Sequence, residues 1–309
     1  MRNRLFMLAT LLLLVLAPAL PAHAIVDGVP DEGEHPYVGQ LLFHVPDEVD
    51  PRFDEPGAWF SCSGSLVDAS TVVTAGHCTH AVGLDGESTL GDGGDGGNDV
   101  WISLEEEPEH GILPASSTFA PGNNAGRYAA WAAALDDSSQ WHRATSYPHT
   151  DYDPSAFFEH DLGVLELEEP VTMSTYGALP RLGLLDELAK VKGQVFTPVG
   201  YGLEEAGPNG SSGGDTRRKA TVRLVSLSGV YGTETGVAAK FSSNNGTQNT
   251  GGTCFGDSGG PILVAGTNTL TSVTSFGIDP NCASGGGAYR LDQPDDLAFL
   301  DTFGVQPAA

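Results

Sequence analysis

The chain has 309 residues, and at about 150 residues per domain this length predicts two domains, each large enough to bury a core. Its 40 acidic residues outnumber its 14 basic ones, which gives a formal net charge of -26 and argues against a protein that binds nucleic acid through phosphate contacts. With 40% hydrophobic residues the chain is predicted to fold, and its 41 glycines and 20 prolines favour a turn-rich, strand-rich protein.

The first 24 residues have the pattern of a secretory signal peptide. Residues 1–4 are basic, residues 5–16 are apolar, and Ala-His-Ala at residues 22–24 offers small side chains before a cleavage site. The apolar run is shorter than the roughly 20 residues that span a membrane, so we expect no membrane anchor. Cleavage after residue 24 would make Ile25 the first residue of a secreted chain.

Short runs rich in Val, Ile, Leu, Phe and Thr recur along the rest of the chain, between clusters of Gly, Pro, Asp and Asn. Such runs predict the strands of an all-β protein with sandwich or barrel architecture. The predicted strands are residues 37–45, 65–75, 100–104, 162–167, 194–199, 221–227, 261–264, 270–276 and 288–291. Helical periodicity is confined to residues 127–135 and, more weakly, residues 295–303.

Residues 83–99 form a glycine-rich, acidic segment, which is predicted to be a surface loop because it has little apolar surface to bury. A calcium site is the alternative interpretation, since carboxylate and amide oxygens at flexible spacing suit that ion, although the spacing is not that of an EF-hand. The candidate calcium ligands are Asp85, Glu87, Asp92, Asp95, Asn98 and Asp99.

The four cysteines of the chain would form disulfides in an oxidising compartment. They are Cys62, Cys78, Cys254 and Cys282, and four cysteines allow three connectivities that spacing alone does not distinguish. A zinc site is the alternative, but the chain has no C-x-x-C pair and no H-E-x-x-H motif to support it.

The sequence T-C-F-G-D-S-G-G-P at residues 253–261 surrounds Ser258 with glycines. A serine hydroxyl needs a base to become a nucleophile, and flanking glycines allow backbone N–H groups to face a developing oxyanion. The same stretch fits the G-x-S-x-G elbow of α/β-hydrolases, but those enzymes carry their acid and histidine after the serine. The last histidine here is His160, so the elbow interpretation is excluded.

The base must therefore precede Ser258, and His77 has the most informative context. Residues 70–75 form a strand-like run that ends in Gly-His-Cys, which places His77 at a strand end that a disulfide can fix. Asp161 heads the apolar run L-G-V-L-E-L and is the best candidate to orient the imidazole and stabilise its charged form. Taken alone, Asp161 could equally be an acid that caps a strand.

The motifs V-V-T-A-G-H-C, H-D-L-G-V-L-E-L and G-D-S-G-G-P, in this order, resemble those of the chymotrypsin/trypsin-like serine proteases. The similarity extends to I-V-D-G from residue 25, G-Y-G at residues 200–202 and S-F-G at residues 275–277. The resemblance implies a secreted serine endopeptidase that acts on polypeptides. It implies two antiparallel six-stranded Greek-key β-barrels, residues 25–175 with insertions and residues 176–309, with the active site in the cleft between them and a short C-terminal helix.

Carried over residue by residue, the resemblance makes Ser258 the nucleophile, His77 the general acid/base and Asp161 the residue that orients His77. The backbone N–H groups of Gly256 and Ser258 would form the oxyanion hole. No metal ligand belongs to this set, and we expect a monomer.

The resemblance also implies three pairings: Cys62 with Cys78, Cys254 with Cys282, and the freed amine of Ile25 with the carboxylate of Asp257. The last pair activates members of the family by ordering the oxyanion hole and the pocket. Because no basic residue lies between residues 4 and 25, we expect removal of the signal peptide itself to activate the enzyme.

The resemblance assigns the specificity pocket to Gly252, Thr253, Ser275, Phe276, Gly277 and Gly287. Gly252 stands at the pocket base, where trypsin-like members carry an Asp, so a substrate cation would be desolvated there without a partner. We therefore expect cleavage after aromatic or large aliphatic residues. Arg/Lys specificity is one alternative, since Asp279 lies close in sequence, and a catalytically silent secreted binding protein on the same scaffold is the other.

Overall fold

The computed structural model describes residues 25–50, 55–87, 96–207, 210–230, 232–243, 251–277 and 279–307. The predicted signal peptide lies outside these ranges, as do two of the candidate calcium ligands, Asp92 and Asp95. Among the helices in these ranges, none is both long enough and apolar enough to cross a membrane.

Strands dominate the described chain, as the sequence predicts. They are β1 (Val29–Pro30), β2 (Val38–Val49), β3 (Pro56–Leu66), β4 (Thr71–Thr74), β5 (Val100–Ser103), β6 (Trp141–Pro148), β7 (Gly163–Leu167), β8 (Phe196–Gly200), β9 (Leu203–Gly207), β10 (Gly210–Gly213), β11 (Arg218–Lys219), β12 (Leu224–Ser226), β13 (Ala238–Phe241), β14 (Pro261–Val264), β15 (Leu270–Gly277) and β16 (Gly286–Arg290). The α-helices of the described ranges are α1 (Asn124–Asp136), α2 (Leu184–Leu188) and α3 (Pro294–Asp301).

Six strands close the first barrel in the order β2-β3-β4-β7-β6-β5, with antiparallel pairing throughout. Its interior is filled by alternating apolar side chains that are fully buried, including Leu41, Val72 and Val164. The prediction of a six-stranded first barrel is confirmed. A barrel has no free edge strand, which leaves the loops at its rim to carry function.

The second half forms an eight-stranded sheet in the order β1-β11-β8-β14-β15-β16-β13-β12, with β9 and β10 as a separate hairpin. The sheet has two strands more than the predicted six, and one of them, β1, comes from the other end of the chain: Val29 lies opposite Lys219. The residues that follow Ile25 therefore pair with the second sheet, although the predicted division after residue 175 placed them in the first domain. The short C-terminal helix is present as α3.

One predicted strand, residues 65–75, is divided by a turn between β3 and β4. The Asp68 carboxylate accepts hydrogen bonds from the backbone N–H groups of Ser70 and Thr71, both at 2.8 Å. An Asp side chain that bonds the backbone two or three residues later favours a turn over a strand. The prediction of one continuous strand was wrong here because the apolar run conceals this turn.

The insertion between His77 and Asp161 includes α1, which packs on the outside of the first barrel. Arg127 is fully buried and donates to Asp50 at 2.7 Å and to the Gly57 carbonyl at 2.6 Å. Trp101 on β5 donates its indole N–H to Asp136 at the end of the helix, at 2.7 Å. These buried polar contacts hold α1 against the first barrel.

Candidate active site

His77 lies at the end of β4, in the 3-10 turn Gly76–Cys78, as the sequence predicts. Cys78 is bonded to Cys62 on β3, so a disulfide holds this turn to the barrel. A Cβ added at Gly76 would lie 2.9 Å from the Tyr152 ring, so the turn also needs a glycine beside His77. The imidazole is therefore positioned by the backbone and the disulfide together.

Asp161 immediately precedes β7, and the antiparallel pairing of β4 with β7 brings it to His77 across 84 positions of sequence. The carboxylate is fully buried and accepts a hydrogen bond from the His77 backbone N–H at 2.9 Å. His77 Nδ1 lies 3.0 Å from one carboxylate oxygen and 3.1 Å from the other. The hydroxyl of Ser275 donates to the same carboxylate, which fixes its orientation.

The charge of Asp161 decides the protonation of His77. Burial alone would lower the pKa of the imidazole, but the negative charge and the hydrogen bond of Asp161 outweigh burial, so the pKa of His77 lies above its usual value. The pair therefore stabilises a protonated imidazole, which is what a general base needs once it has accepted a proton.

Ser258 lies in the loop before β14 and faces a cleft of about 960 Å³ that His77 also lines. The backbone N–H of Ser63 on β3 donates to the Ser258 carbonyl at 2.7 Å, so the first barrel holds the loop of the second sheet. Within the described ranges the Ser258 hydroxyl makes no hydrogen bond to His77. Such bonds are often long before substrate binds.

The two N–H groups predicted to form an oxyanion hole are both available. In the part of the chain that the structure describes, the N–H groups of Gly256 and Ser258 have no acceptor, and both residues line the cleft. Gly256 has a φ of +96°, and a Cβ there would lie 2.9 Å from the Gly202 Cα. This conformation and this space favour glycine at residue 256.

Asp257 is fully buried and accepts hydrogen bonds at 2.8 Å from the backbone N–H groups of Cys254 and Gly202. Burial raises its pKa to about 7, although these two hydrogen bonds act in the opposite direction. No cation among the described residues pairs with it. A buried carboxylate without a countercharge is costly, so a cation supplied here would stabilise the loop that carries the nucleophile.

The predicted partner of Asp257, Ile25, is also fully buried. The next residue, Val26, forms an antiparallel bridge with Gly252, whose N–H donates to the Val26 carbonyl at 3.1 Å. The segment after residue 24 thus lies against the chain that leads into the loop of Ser258. The pairing of the freed Ile25 amine with Asp257 stays a prediction.

A second cavity of about 210 Å³ opens beside Ser258, at the position predicted for the specificity pocket. Four of the six predicted pocket residues line it: Thr253, Ser275, Phe276 and Gly277. Asp279 also lines this cavity, and the disulfide between Cys254 and Cys282 closes its wall, as the resemblance implied.

The other two predicted pocket residues lie behind the wall of the cavity. A Cβ at Gly252 would lie 2.0 Å from the Ser243 hydroxyl, and one at Gly287 would lie 2.5 Å from the Phe276 ring. Gly287 therefore lets the ring of Phe276, which lines the cavity, approach closely, whereas Gly252 gives the same room to Ser243, which does not line the cavity.

An aromatic pair before Asp161 was missed by the sequence analysis. Phe157 lines the specificity cavity, and its ring centroid lies 6.1 Å from that of Phe276. Phe158 contacts the same ring at 5.8 Å. The sequence signal was the two consecutive phenylalanines shortly before Asp161, the predicted catalytic acid. The Phe157 ring adds apolar surface to the specificity cavity.

Two of the candidate calcium ligands, Asp85 and Asp99, already have protein partners. Arg143 lies 2.8 Å from an Asp85 oxygen and 3.3 Å from an Asp99 oxygen, and Tyr128 donates to Asp99 at 2.7 Å. Calcium binding by this segment stays a prediction.

The chain is similar to known proteins both in sequence and in fold. A family model described as Trypsin matches residues 124–293, which is more than half of the chain. Brachyurin from Leptuca pugilator is 28% identical over 233 residues, a stretch that covers 73% of this chain and 80% of that protein. The solved structure of HL collagenase superimposes with a TM-score of 0.61 and 16% identity, covering 91% of this chain and all of that one.

Proposed function

The chain belongs to the trypsin family of serine proteases, and on that premise we propose that it is a secreted serine endopeptidase whose nucleophile is Ser258. The observation that carries this proposal is the buried contact between Asp161 and His77 in the cleft that Ser258 lines. The secreted location rests on the sequence of residues 1–24 and is consistent with the two disulfides, which persist in oxidising compartments.

The geometry supports the following reaction. His77 Nε2 removes the proton from the Ser258 hydroxyl as its oxygen bonds to the scissile carbonyl carbon, and Asp161 stabilises the imidazolium that forms. The N–H groups of Gly256 and Ser258 donate to the carbonyl oxygen as it becomes negative. His77 then gives its proton to the leaving amine, and an acyl-enzyme remains on Ser258. Water repeats these steps to release the acid and restore the serine.

Casein incubated with the chain that begins at Ile25 tests this function. We expect peptides produced by internal cleavage, detected by mass spectrometry. Casein that is bound but remains intact would instead favour the catalytically silent binding protein.

We further propose that the enzyme prefers large apolar or aromatic residues before the scissile bond. Phe157 and Phe276 add apolar surface to the specificity cavity, and Gly277 leaves its entrance without a side chain. We expect kcat/KM for a phenylalanine ester to exceed that for the arginine ester by at least about 10-fold, because the described lining of the cavity is largely apolar and Asp279 is its one acidic residue. Paired ester assays measure this ratio.

Asp279 provides the control, because its carboxylate is the acidic group that lines the cavity in the described ranges. With Asp279→Asn we expect the residual arginine-ester hydrolysis to fall while phenylalanine-ester hydrolysis is retained. Arginine esters cleaved faster than phenylalanine esters by the unmodified chain, with the order reversed in this variant, would establish Arg/Lys specificity through Asp279.

Activation is proposed to occur when cleavage after residue 24 frees the amine of Ile25 to pair with Asp257. A chain that retains residues before Ile25 is expected to lose about 10²-fold or more in kcat/KM, because an unpaired buried charge costs about 3 kcal/mol or more. Matched assays of the two chains on one ester measure this. Equal activity would contradict the proposed pairing.

The same pairing predicts the alkaline side of the pH profile. An α-amine has an ordinary pKa near 8, and a carboxylate partner raises it because it favours the charged form. The active form is therefore complete below that raised pKa and is lost as the pH rises through it. A rate that stays constant to strongly basic pH would rule out a role for the amine.

A further inference from the structure

His160 and two carboxylates of α3 lie together on the side of Asp161 that faces the C-terminal helix. The nitrogen of His160 and the oxygens of Asp295 and Asp296 are all within 4.8 Å of one another. His160 Nδ1 lies 3.5 Å from an Asp295 oxygen, an approach that does not meet hydrogen-bond geometry. Neither the proposed reaction nor the substrate cleft uses these side chains.

Two buried polar atoms in this cluster have no hydrogen-bond partner among the described residues. Asp296 is fully buried; one of its oxygens accepts from the Tyr289 hydroxyl at 2.9 Å, while Oδ2 has no donor. Nδ1 of His160 likewise has none. Buried polar atoms are nearly always satisfied, so an imidazole nitrogen and a carboxylate oxygen left unsatisfied side by side indicate a ligand.

Among the described residues, no cation completes this cluster. Arg290 donates to Asp292 and Asp186 at 2.9 Å each, so its guanidinium is shared with other carboxylates. The cluster therefore offers carboxyl oxygens and an imidazole nitrogen to a ligand that the described residues do not supply. Exposure of the Asp295 side chain, which is 50%, leaves an entry path from solvent.

We propose that His160, Asp295 and Asp296 bind a divalent cation of the zinc class. One imidazole nitrogen with two carboxylate oxygens is a mixed donor set that suits Zn²⁺ better than Ca²⁺ or Mg²⁺, which take oxygen ligands. Three protein ligands leave a position for water in a tetrahedral site.

His149 supports this site from the other face of His160. Its ring stacks on that of His160 with centroids 5.1 Å apart, and its Nδ1 accepts from the Asp151 backbone N–H at 3.1 Å. This contact orients His149 within the protein, and the stacked ring in turn restricts the rotation of His160. A preset imidazole loses little freedom when it binds a metal ion.

The bound ion would join the segment that carries Asp161 to α3. The His160 carbonyl accepts from the Leu162 N–H at 2.7 Å, and the Leu162 carbonyl accepts from the His149 N–H at 2.8 Å. His160 itself has a φ of +50°, an uncommon conformation for a residue with a side chain, so the segment carries strain that an added ligand would help to hold. The ion is thus a structural clamp behind the catalytic carboxylate.

Zinc chloride titrated into the chain that carries Ser258→Ala tests this site by calorimetry and thermal unfolding. Because this variant cannot digest itself, the result does not depend on the proposed protease activity. We expect one zinc ion per chain and a Tm raised by roughly 5 °C or more at 100-fold excess over Kd. Calcium chloride at the same concentration is expected to raise Tm less.

Ligand variants in the same background locate the ion. His160→Gln and Asp295→Asn are each expected to weaken zinc binding by about 10-fold or more, while His142→Gln, a histidine of β6 outside the cluster, leaves it unchanged. Asp295 lies on the helix surface, so its variant keeps the test valid if His160→Gln does not fold. Absence of zinc binding, equal stabilisation by calcium, or unchanged zinc affinity in Asp295→Asn would overturn the proposal.

Discussion

Replacing Ser258 by alanine is expected to lower kcat for peptide and ester hydrolysis by about 10⁶-fold, the scale at which removal of a triad nucleophile leaves only binding and oxyanion stabilisation. KM should change little, because the hydroxyl contributes to the transition state far more than to substrate binding. Steady-state assays on one ester and on casein measure both quantities. The backbone contact from Ser63 to the Ser258 carbonyl does not involve the side chain, so the variant should keep its fold.

Ser61→Ala is the matched control for this substitution. Ser61 lines the same cleft and loses the same hydroxyl, but it has no place in the proposed reaction. We expect near-normal kcat for Ser61→Ala. If Ser258→Ala kept more than a small fraction of kcat, or if Ser61→Ala lost as much, the nucleophile would be misassigned.

Replacing Asp161 by asparagine is expected to lower kcat by about 10⁴-fold, the loss that accompanies this change in the same triad. Asparagine is nearly the size of aspartate but has no charge, and its amide can hold His77 in the wrong tautomer. Unfolding measured in parallel should show that the loss is chemical, because Asn can still accept from the His77 backbone N–H.

The pH profile of Asp161→Asn gives a second readout of the same contact. The pKa of His77 is raised by the carboxylate, and catalysis needs the neutral imidazole, so the activity of the unmodified chain is lost as pH falls through that raised value. Without the carboxylate the pKa of His77 falls, and the acid limb moves to lower pH. Asp215→Asn removes an exposed carboxylate from the same cleft and should leave the acid side of the pH–activity profile unchanged. An unshifted limb in Asp161→Asn would disprove the pairing.

The contact between His77 and Asp161 could be predicted from sequence because each residue lies beside a strand that the local pattern marks. Residues 70–75 and 162–167 are both apolar runs bounded by the proposed functional residues, and their pairing as β4 and β7 brings His77 to Asp161. The sequence alone left Asp161 open as a strand cap. Only the family resemblance, carried by three motifs in order, assigned its role and chose the disulfide pairing that the structure confirms.

Contacts that depend on distant segments could not be predicted in this way. β6 was missed because its sequence, W-H-R-A-T-S-Y-P, mixes polar and apolar side chains without clear alternation. The guanidinium of its Arg143 lies over the Trp101 ring, 4.9 Å from the ring centroid, and also reaches Asp85. The pairing of β1 with β11 joins residues about 190 positions apart, and neither two-residue strand has a periodicity of its own. Both elements are determined by tertiary packing.

In the specificity pocket, too, some residues could be predicted from local sequence while others depend on contacts with distant segments. Two residues predicted for the pocket, Thr253 near Ser258 and Phe276 on β15, line the cavity beside Ser258. Gly252 and Gly287 were assigned to its base and wall, but each is covered by a side chain that no local pattern links to it. Pocket shape therefore depends on which neighbour fills the space that a glycine leaves.

Labelling with a fluorophosphonate probe, followed by peptide mapping, tests the proposed nucleophile most directly. The probe bonds covalently to a serine that an adjacent base activates, so it reports the assembled site and not only the presence of a hydroxyl. In the chain that begins at Ile25 we predict a single label on Ser258, which disappears in Ser258→Ala and persists in Ser61→Ala. A folded chain that takes up no label, or a label that maps to another serine, would contradict the proposed active site.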